Sequence, residues 1–310
     1  MTSAVIPIPI YKSDFSELEK ASLFQCCKIL NKYNFSLVCP DGLDIKNYEI
    51  VLKDFNVNYK VDRFDRKFFK SVESYNNLML DVNFYKRYEK YEFALIYQLD
   101  AYVFRDDLMY WCKKDFDYIG APWFENFGLS DDKSKLLEVA GNGGFSLRKI
   151  SSFIKVLSYK KEVANFIGNY LKDGQYEDVF FSQFAKNIDK NFKVAPPSEA
   201  MYFSFESQPK RLHEMINKKI PFGCHAWERY DFDFWEYFVD FSNVDFGNLN
   251  RENLKKISIL RANLDYEKGR FKSLNKDLID TRKRIERTYN SREWKIVLKL
   301  QKLFKFFFRR

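Results

Sequence analysis

The sequence predicts an α/β fold with a helical C-terminal tail. Strand-like and helical patterns alternate over the first hundred residues, which is typical of a sheet with helices packed on its faces. The continuous apolar run of residues 93–97 is typical of a central strand buried on both faces. Near the C-terminus, apolar residues recur every seven positions from Ile257 to Ile285, which indicates a long helix.

The first predicted strand is residues 4–10, a short run rich in apolar and β-branched side chains. Pro7 and Pro9 predict that it lies at a sheet edge or a strand end, because proline has no amide hydrogen to donate to a neighbouring strand. A helix follows, since Ser16 and Glu19 have the spacing of a capping box before an apolar helical stripe.

The alternation continues up to the apolar run. Residues 35–39 form a second predicted strand, and the Pro-Asp-Gly turn at residues 40–42 closes it. A helical stretch is predicted around residues 68–88. The strand at residues 93–97 then ends just before Asp100, which places this carboxylate at a strand end.

The composition is that of a folded protein in a reducing compartment. Of the 310 residues, 46% are hydrophobic, and the five cysteines are scattered without paired spacing, so we expect reduced thiols. The first residues hold no basic stretch followed by a long apolar one, and no run reaches the roughly 18 apolar residues of a membrane span. We therefore expect a cytoplasmic protein.

The net charge is concentrated in the tail. The last thirty residues hold eleven Lys and Arg against two acidic residues, which accounts for the whole formal net charge of +9. The other 280 residues have no net charge, which argues against a nucleic-acid-binding surface on this part of the chain. We predict a catalytic domain of residues 1–245, a helical segment of residues 246–290 and a basic terminal helix of residues 291–310.

Asp100 is the first candidate site residue. Ligands of open α/β sheets bind outside the carboxyl ends of the strands, which is where Gln98-Leu99-Asp100 ends the central strand. A carboxylate there suits a divalent cation that grips a nucleotide diphosphate. Capping of a turn is an equal alternative.

The glycine-rich segment Gly141-Asn142-Gly143-Gly144 is the second candidate. Gly143 and Gly144 lack a β-carbon, so the segment either frames a sugar pocket or makes an ordinary tight turn into a strand. It has neither the spacing of a phosphate-binding P-loop nor a complete dinucleotide fingerprint.

Glu177 and Asp178 precede a helical apolar pattern. Carboxylates favour a helix N-terminus, so capping is one interpretation. The other is that one of them takes a proton from an acceptor hydroxyl.

The chain has two histidines. This number disfavours a zinc centre with several histidine ligands and a serine catalytic triad. His225 can share a cation with Asp100, although a lone histidine is more often structural. Trp123 and Trp227 either offer flat faces to a sugar ring or pack in the core.

Taken in order, the motifs resemble a bacterial glycosyltransferase-like family catalogued as a domain of unknown function, over roughly residues 4–240. The motifs that carry the resemblance are Ile96-Tyr97-Gln98-Leu99-Asp100, Tyr118-Ile119-Gly120-Ala121-Pro122-Trp123, Gly141 to Arg148, Glu177-Asp178-Val179-Phe180 and Pro221 to Trp227. The resemblance implies a glycosyltransferase A type, Rossmann-like α/β/α sandwich.

The resemblance also implies roles for individual residues. Asp100 and His225 would hold a divalent cation, Mn²⁺ or Mg²⁺, and Asp178 would be the base of an inverting transfer, with Glu177 as the fallback. The donor nucleotide sugar would meet Pro9, Tyr11, Gln98 and Asp100. In the glycosyltransferase A fold, the motif at the end of the central strand usually has two acidic residues. Gln98 replaces the first of these, and Asp100 corresponds to the second.

The heptad pattern of the tail has two interpretations. Ile257, Leu264, Phe271, Leu278 and Ile285 recur every seven residues, with Leu260 and Leu274 at the intervening position. Glu267 and Thr281 interrupt that second position. Residues 254–288 therefore either form a homodimer or dock on the domain.

The last twenty residues have the pattern of an amphipathic helix. Projected at 100° per residue, the basic side chains of residues 291–310 fall in one arc and most apolar ones in the other. This is typical of a helix on an anionic membrane surface, and docking on the domain is the alternative. Stacking on nucleic acid is disfavoured because the aromatic residues lie opposite the basic ones.

The predicted function is transfer of a sugar from a nucleotide-sugar donor to a lipid-linked or cell-surface polysaccharide acceptor, at the inner face of the cytoplasmic membrane. The alternative is a non-catalytic, membrane-associated protein that binds carbohydrate or nucleotide and retains the fold. Gln98 keeps this alternative open.

Overall fold

A computed structural model describes residues 3–125, 134–169, 176–245 and 251–307. The chain divides into two compact units, Met1–Ala262 and Asn263–Arg310. The start of the predicted helical segment, residues 246–250, and the end of the predicted terminal helix, residues 308–310, lie outside the described residues. The predicted domain boundaries stay predictions.

The first unit is built on one large sheet and two small ones. Its strands are β1 (Ala4–Pro9), β2 (Asn34–Pro40), β3 (Tyr59–Phe64), β4 (Phe93–Tyr97), β5 (Tyr102–Val103), β6 (Tyr118–Ile119), β7 (Pro122–Phe124), β8 (Leu136–Ala140), β9 (Phe145–Lys149), β10 (Ser204–Phe205) and β11 (Gly223–Cys224). The large sheet has the order β3-β2-β1-β4-β9-β6. Strands β1 to β4 are parallel, and β9 runs antiparallel to both β4 and β6.

The position of β1 corrects one expectation, because this strand lies inside the sheet between β2 and β4. The amide of Ile10 donates to Val38 on β2, so the amides at even positions of β1 face β2. Pro7 and Pro9 are at odd positions, so their backbone nitrogens, which carry no hydrogen, face β4. Strand β4 pairs with β1 only at residues 4–5, before the prolines, so the two strands share a ladder over the start of β1 alone.

Helices cover both faces of the sheet. They are α1 (Glu17–Leu30), α2 (Lys46–Asp54), α3 (Val72–Met79), α4 (Val82–Lys86), α5 (Leu108–Lys113), α6 (Ile150–Leu157), α7 (Lys160–Asn169), α8 (Glu177–Val179), α9 (Ala185–Ile188), α10 (Pro197–Phe203), α11 (Pro209–Met215) and α12 (Phe232–Trp235). A 3₁₀ turn at Arg66–Phe69 precedes α3, and a π turn at Phe180–Phe184 joins α8 to α9. The capping box predicted at Ser16 and Glu19 begins α1.

Strand β4 shows how the sequence builds the layers, because all five of its residues are buried. Phe93, Leu95 and Tyr97 point into the core under α1 and α2, and Ala94 and Ile96 point into the core under α3, α4 and α6. The molecule is an α/β/α sandwich, and the predicted fold class with its helical C-terminal tail is confirmed. All five cysteines are buried free thiols, as predicted.

The tail consists of α13 (Arg251–Asn290) and α14 (Arg292–Phe307). The start of α13 belongs to the first unit, where the hydroxyl of Ser258 donates to the carbonyl of Arg229 at 2.9 Å. Among the described residues, no helix combines the length and the apolar character needed to cross a membrane.

Candidate functional site

The candidate site lies where the parallel strands end. Strand β1 ends at Pro9, and β4 is followed by Gln98 and Asp100, so these residues meet at the carboxyl edge of the sheet. The amide of Gln98 donates to the carbonyl of Gly144 at 2.8 Å, which ties the end of β4 to the glycine-rich turn before β9. This edge therefore brings together motifs that are distant in the sequence.

Asp100 and His225 form the centre of the site. Their closest atoms, Asp100 Oδ1 and His225 Nε2, lie 3.2 Å apart, and Gln98 Oε1 lies 3.2 Å from the same nitrogen. On the other side of the ring, Glu206 Oε1 lies 2.9 Å from Nδ1. The structure thus brings together the two predicted metal ligands and adds Glu206, which sequence reasoning missed.

Two short parallel strands explain how Glu206 and His225 meet. Glu206 follows β10 and His225 follows β11, and these strands pair in register. The amide of His225 donates to the carbonyl of Phe205 at 2.9 Å, which aligns the two strand ends. Because β10 and β11 have two residues each, no period in the sequence could have revealed this pairing.

The charges at this centre stabilise each other. Burial opposes ionisation of Asp100, but the imidazolium of His225 outweighs it and holds the pKa of Asp100 below its usual value. Burial alone would lower the pKa of His225, yet Asp100 and Glu206 raise it to about 10. Without a bound cation, His225 is an imidazolium between two carboxylates.

The glycine-rich turn leaves room for protein side chains. A β-carbon on Gly144 would overlap the imidazole of His225, whose Cε1 would be only 2.7 Å away. A β-carbon on Gly143 would collide with the carboxylate of Glu177. The close approach that these glycines permit is therefore made by His225 and Glu177, whereas their predicted contact with a sugar stays a prediction.

Asn142 organises the same turn. Its Oδ1 accepts hydrogen bonds from the amides of Gly144 at 2.9 Å and Phe145 at 3.0 Å, and its Nδ2 lies 3.1 Å from His225 Nδ1. Both of these nitrogens carry hydrogen when Nδ1 donates to Glu206, so Asn142 shapes the turn by its two accepted hydrogen bonds and contacts the ring without a hydrogen bond. The local pattern around Asn142 carries no signal for this role.

Glu177 is engaged in a buried ion pair. Arg148 Nη2 lies 2.9 Å from Glu177 Oε1, and both side chains are almost fully buried. The remaining donors of Arg148 reach Ser146 Oγ, the hydroxyl of Tyr85 and the carbonyl of Gly143. A satisfied buried pair of this kind anchors the acidic segment against the glycine-rich turn. It leaves Asp178 as the freer of the two predicted bases.

Asp178 is half-buried beside the centre. Burial, together with the negative charges of Glu177 and Glu206, raises the pKa of Asp178 well above its usual value. The amide of Val179 donates to its Oδ1 at 2.8 Å. An aspartate with a raised pKa is a stronger base than a solvated one.

A cavity of about 210 Å³ opens next to Asp100. All four predicted donor-binding residues line it, and the full set is Pro9, Ile10, Tyr11, Lys12, Glu19, Tyr48, Gln98, Leu99, Asp100 and Glu228. The lining is acidic, since Lys12 lies 2.7 Å from Glu19 and so offsets one of its three carboxylates. Burial and the nearby Asp100 raise the pKa of Glu228, a residue that the sequence analysis did not single out.

The two tryptophans lie in the protein interior. Trp227 is 1% exposed and packs on Tyr102 and Phe232, so its ring presents no open face. Trp123 on β7 is 7% exposed. For Trp227 the structure favours the core-packing alternative, and a sugar contact of Trp123 stays a prediction.

The side chains around Asp100 offer a cation few ligands. Among the described residues, no group of three or more His, Cys, Asp or Glu side chains is placed to hold a metal ion. Asp100 and His225 converge with the oxygen of Gln98. Because Glu206 holds Nδ1, Nε2 is the ring nitrogen that would bind a cation once it has lost its proton. The residues fit a cation that keeps few protein ligands and takes the rest from a diphosphate or water.

The solved structures to which this chain is similar, at low identity, include the following three. One is core-mannan synthase A from Aspergillus fumigatus in its Mn/GDP form, with 7% identity, 65% of this chain and 69% of that chain covered, and a TM-score of 0.39. A glycosyltransferase involved in glycosylation of the major capsid of PBCV-1 has 9% identity, with 76% and 98% covered and a TM-score of 0.43. Mouse xyloside xylosyltransferase 1 in its apo form has 11% identity, with 72% and 97% covered and a TM-score of 0.43.

Sequence comparison gives one family. No curated protein matches the sequence. Residues 58–225 match the family described as protein of unknown function (DUF5672), and this match covers more than half of the chain, from before β3 to His225. The resemblance to a family of unknown function is thereby confirmed: the chain belongs to the DUF5672 family.

Proposed function

We propose that this protein is a glycosyltransferase that takes a sugar from a nucleotide-sugar donor. The observation that carries the proposal is the convergence of Asp100, His225 and Gln98 at the mouth of a cavity at the carboxyl edge of the sheet. This is the edge where α/β sheets bind nucleotides. Pro9 and Tyr11 line the same cavity, as expected of residues beside the nucleotide.

The acidic lining supports a role for a cation. Asp100, Glu19 and Glu228 would repel a diphosphate, and Lys12 already pairs with Glu19. The residues that would hold a divalent cation, Mn²⁺ or Mg²⁺, are Asp100 and His225. When bound, such a cation would stabilise the negative charge on the leaving diphosphate.

Asp178 is the proposed base. The acceptor hydroxyl forms a bond to the anomeric carbon while the bond from that carbon to the diphosphate oxygen breaks, and the hydroxyl proton passes to a carboxylate oxygen of Asp178. Its raised pKa suits it to hold that proton. Attack from the side opposite the diphosphate would invert the anomeric centre.

Calorimetric titration with nucleoside diphosphates, with and without Mn²⁺, tests the proposal. We expect binding by the wild-type protein that requires Mn²⁺ and that Asp100→Ala abolishes. Asp44→Ala is the matched control, because Asp44 is an exposed aspartate whose partner is the nearby surface lysine Lys46. If no nucleoside diphosphate binds, or if Asp100→Ala binds normally, the proposed donor site is wrong.

A non-catalytic nucleotide- or carbohydrate-binding protein is the second candidate. The observation that favours it is the pairing of His225 with Asp100 and Glu206, in which the imidazolium offsets one of the two negative charges without any metal ion. Gln98, in place of an acidic residue, points the same way. Cation-independent nucleotide binding without donor hydrolysis would favour this candidate over transfer.

The acceptor side of the proposal includes a membrane surface. Ile296, Leu300 and Phe304 on one side of α14 are exposed, and Lys295 and Lys299 lie on the other. An apolar stripe beside basic residues suits an anionic lipid surface, where a lipid-linked or cell-surface polysaccharide acceptor would be reached.

Vesicle sedimentation tests the membrane proposal. We expect the full chain to sediment with phosphatidylcholine vesicles only when they contain phosphatidylglycerol, and Leu300→Gln to lower the bound fraction. Leu298→Gln is the control, since Leu298 lies on the basic side of α14 and is also exposed. Equal effects of the two substitutions, or equal binding to both kinds of vesicle, would overturn it.

A further inference from the structure

The C-terminal unit carries a row of exposed apolar side chains at coiled-coil spacing. In the heptad register of α13, the a positions are Leu264, Phe271, Leu278 and Ile285, which are 50–72% exposed. The d position Leu274 is 59% exposed. Apolar side chains seven residues apart on one long helix are what a second helix buries in a coiled coil.

We propose that residues 264–288 of α13 pair with the same residues of a second copy of this chain as a parallel, in-register, two-stranded coiled coil. The segment covers about three and a half heptads, or roughly 37 Å of helix. The proposal does not depend on the proposed transfer reaction, because none of these residues lies in the candidate site.

The distribution of apolar and polar seam residues selects the parallel orientation. In a parallel, in-register pair each a residue meets its own copy, so the four apolar a positions form four apolar layers. The polar residues Glu267, Thr281 and Thr288 all fall at d positions, and they would meet one another. An antiparallel pair joins a to d and would bury Leu278 against Glu267 and Leu264 against Thr281.

The flanking charges are compatible with the parallel orientation. In a parallel pair each g residue faces the e residue five positions later in the partner, which places Asp277 beside Arg282 of the partner subunit. The other g-to-e pairs, Asn263–Lys268, Arg270–Asn275 and Arg284–Tyr289, bring no like charges together.

The corresponding antiparallel pair, centred between Phe271 and Leu274, places Arg270 beside Asp277 of the partner subunit. Each orientation therefore has one attractive flanking pair within residues 264–288. The flanking charges do not select between the two orientations, so the four apolar layers of the a positions decide for the parallel one.

Glu267 is the polar residue that would set the register. It lies at a d position, 3.8 Å from Arg270 one turn later on the same helix. A polar residue inside a seam weakens a coiled coil but disfavours shifted registers, in which it would face an apolar partner. We expect Glu267→Leu to strengthen the dimer at least tenfold.

Sedimentation equilibrium of the full chain tests the dimer. Leu278→Asp and Ile279→Asp are matched variants, since both replace an exposed apolar residue of α13 by aspartate at adjacent positions. Only Leu278 lies in the seam, and Ile279 is at a b position. We expect wild type and Ile279→Asp to dimerise at micromolar concentration and Leu278→Asp to dissociate at least thirtyfold more readily. A monomeric wild type, or equal weakening by the two substitutions, overturns the proposal.

Disulfide cross-linking tests the orientation. Glu267→Cys and Leu278→Cys each introduce one cysteine into the seam, at two positions that would face each other in the antiparallel pair, and the five native cysteines are buried. A parallel, in-register pair lets each variant cross-link to itself on mild oxidation. Cross-linking only in a mixture of the two variants would show an antiparallel pair and contradict the proposed orientation.

Discussion

Gly144 has no room for a side chain because the imidazole of His225 lies against its α-carbon, so that a β-carbon would come within 2.7 Å of His225 Cε1. The glycine-rich turn and the late histidine are 81 positions apart in the sequence and in contact in the fold. The contact is possible only because residue 144 has no side chain. The position of His225, and hence its pairing with Asp100, therefore depends on glycine at residue 144.

Gly144→Ala should therefore displace His225 and weaken Mn²⁺-dependent nucleotide binding at least tenfold, which calorimetry would measure. Gly168→Ala is the control, because no atom outside its own helix lies within 4 Å of a β-carbon there. In helix α7 that substitution should be neutral or stabilise the fold by about 0.5–1 kcal/mol. Unchanged nucleotide binding by Gly144→Ala would contradict the role given to this contact.

Glu206→Gln should weaken Mn²⁺ binding by about 10–100-fold, the usual cost of losing a carboxylate behind a histidine ligand. The reason is that Glu206 accepts from His225 Nδ1 at 2.9 Å and so directs Nε2 toward Asp100. Electron paramagnetic resonance of free Mn²⁺ would measure the affinity without relying on activity. Glu214→Gln, at an exposed glutamate of α11, is the control.

Asp178→Asn should abolish transfer and also stabilise the fold at neutral pH. A carboxyl whose pKa is raised on folding binds more protons in the folded than in the unfolded state, so stability falls as pH rises from its unfolded pKa to its folded one. Asparagine does not ionise, so the variant does not lose this free energy of unfolding. In the wild type the loss is about 1.4 kcal/mol for every pH unit between the two pKa values.

Urea unfolding at two pH values would check this prediction. The stability advantage of Asp178→Asn should be present near pH 7 and small near pH 3, where the wild-type carboxyl is largely protonated in both states. Equal effects at the two pH values would show that the raised pKa does not explain the change.

Arg148→Met should destabilise the fold by about 3–5 kcal/mol, because it leaves the buried carboxylate of Glu177 without its partner. Combining it with Glu177→Gln should recover part of this loss, since the unpaired charge is then gone. Urea unfolding of the two single variants and the double variant gives the coupling energy. Additive losses in that cycle would mean that the pair is not coupled.

Much of the fold could be predicted from local patterns. The apolar run at residues 93–97 and the capping box at Ser16 and Glu19 each reflect interactions within one element, so the sequence contains their full signal. The prolines left a sheet edge and a strand end as alternatives: β1 does end at Pro9 but lies inside the sheet, because the effect of a proline depends on which neighbouring strand its missing amide faces. That direction is a property of the sheet.

The candidate site divides in the same way. The local pattern is enough to predict that Asp100 follows a central strand, that the turn at Gly143 and Gly144 lacks β-carbons, and that His225 and Asp178 are available. The pairing of Glu206 with His225, the ion pair between Arg148 and Glu177, and the burial of Trp227 are visible in the folded chain alone. Strand ends and turns are encoded by neighbouring residues, whereas ion pairs and burial depend on which distant segments the sheet brings within a few ångströms.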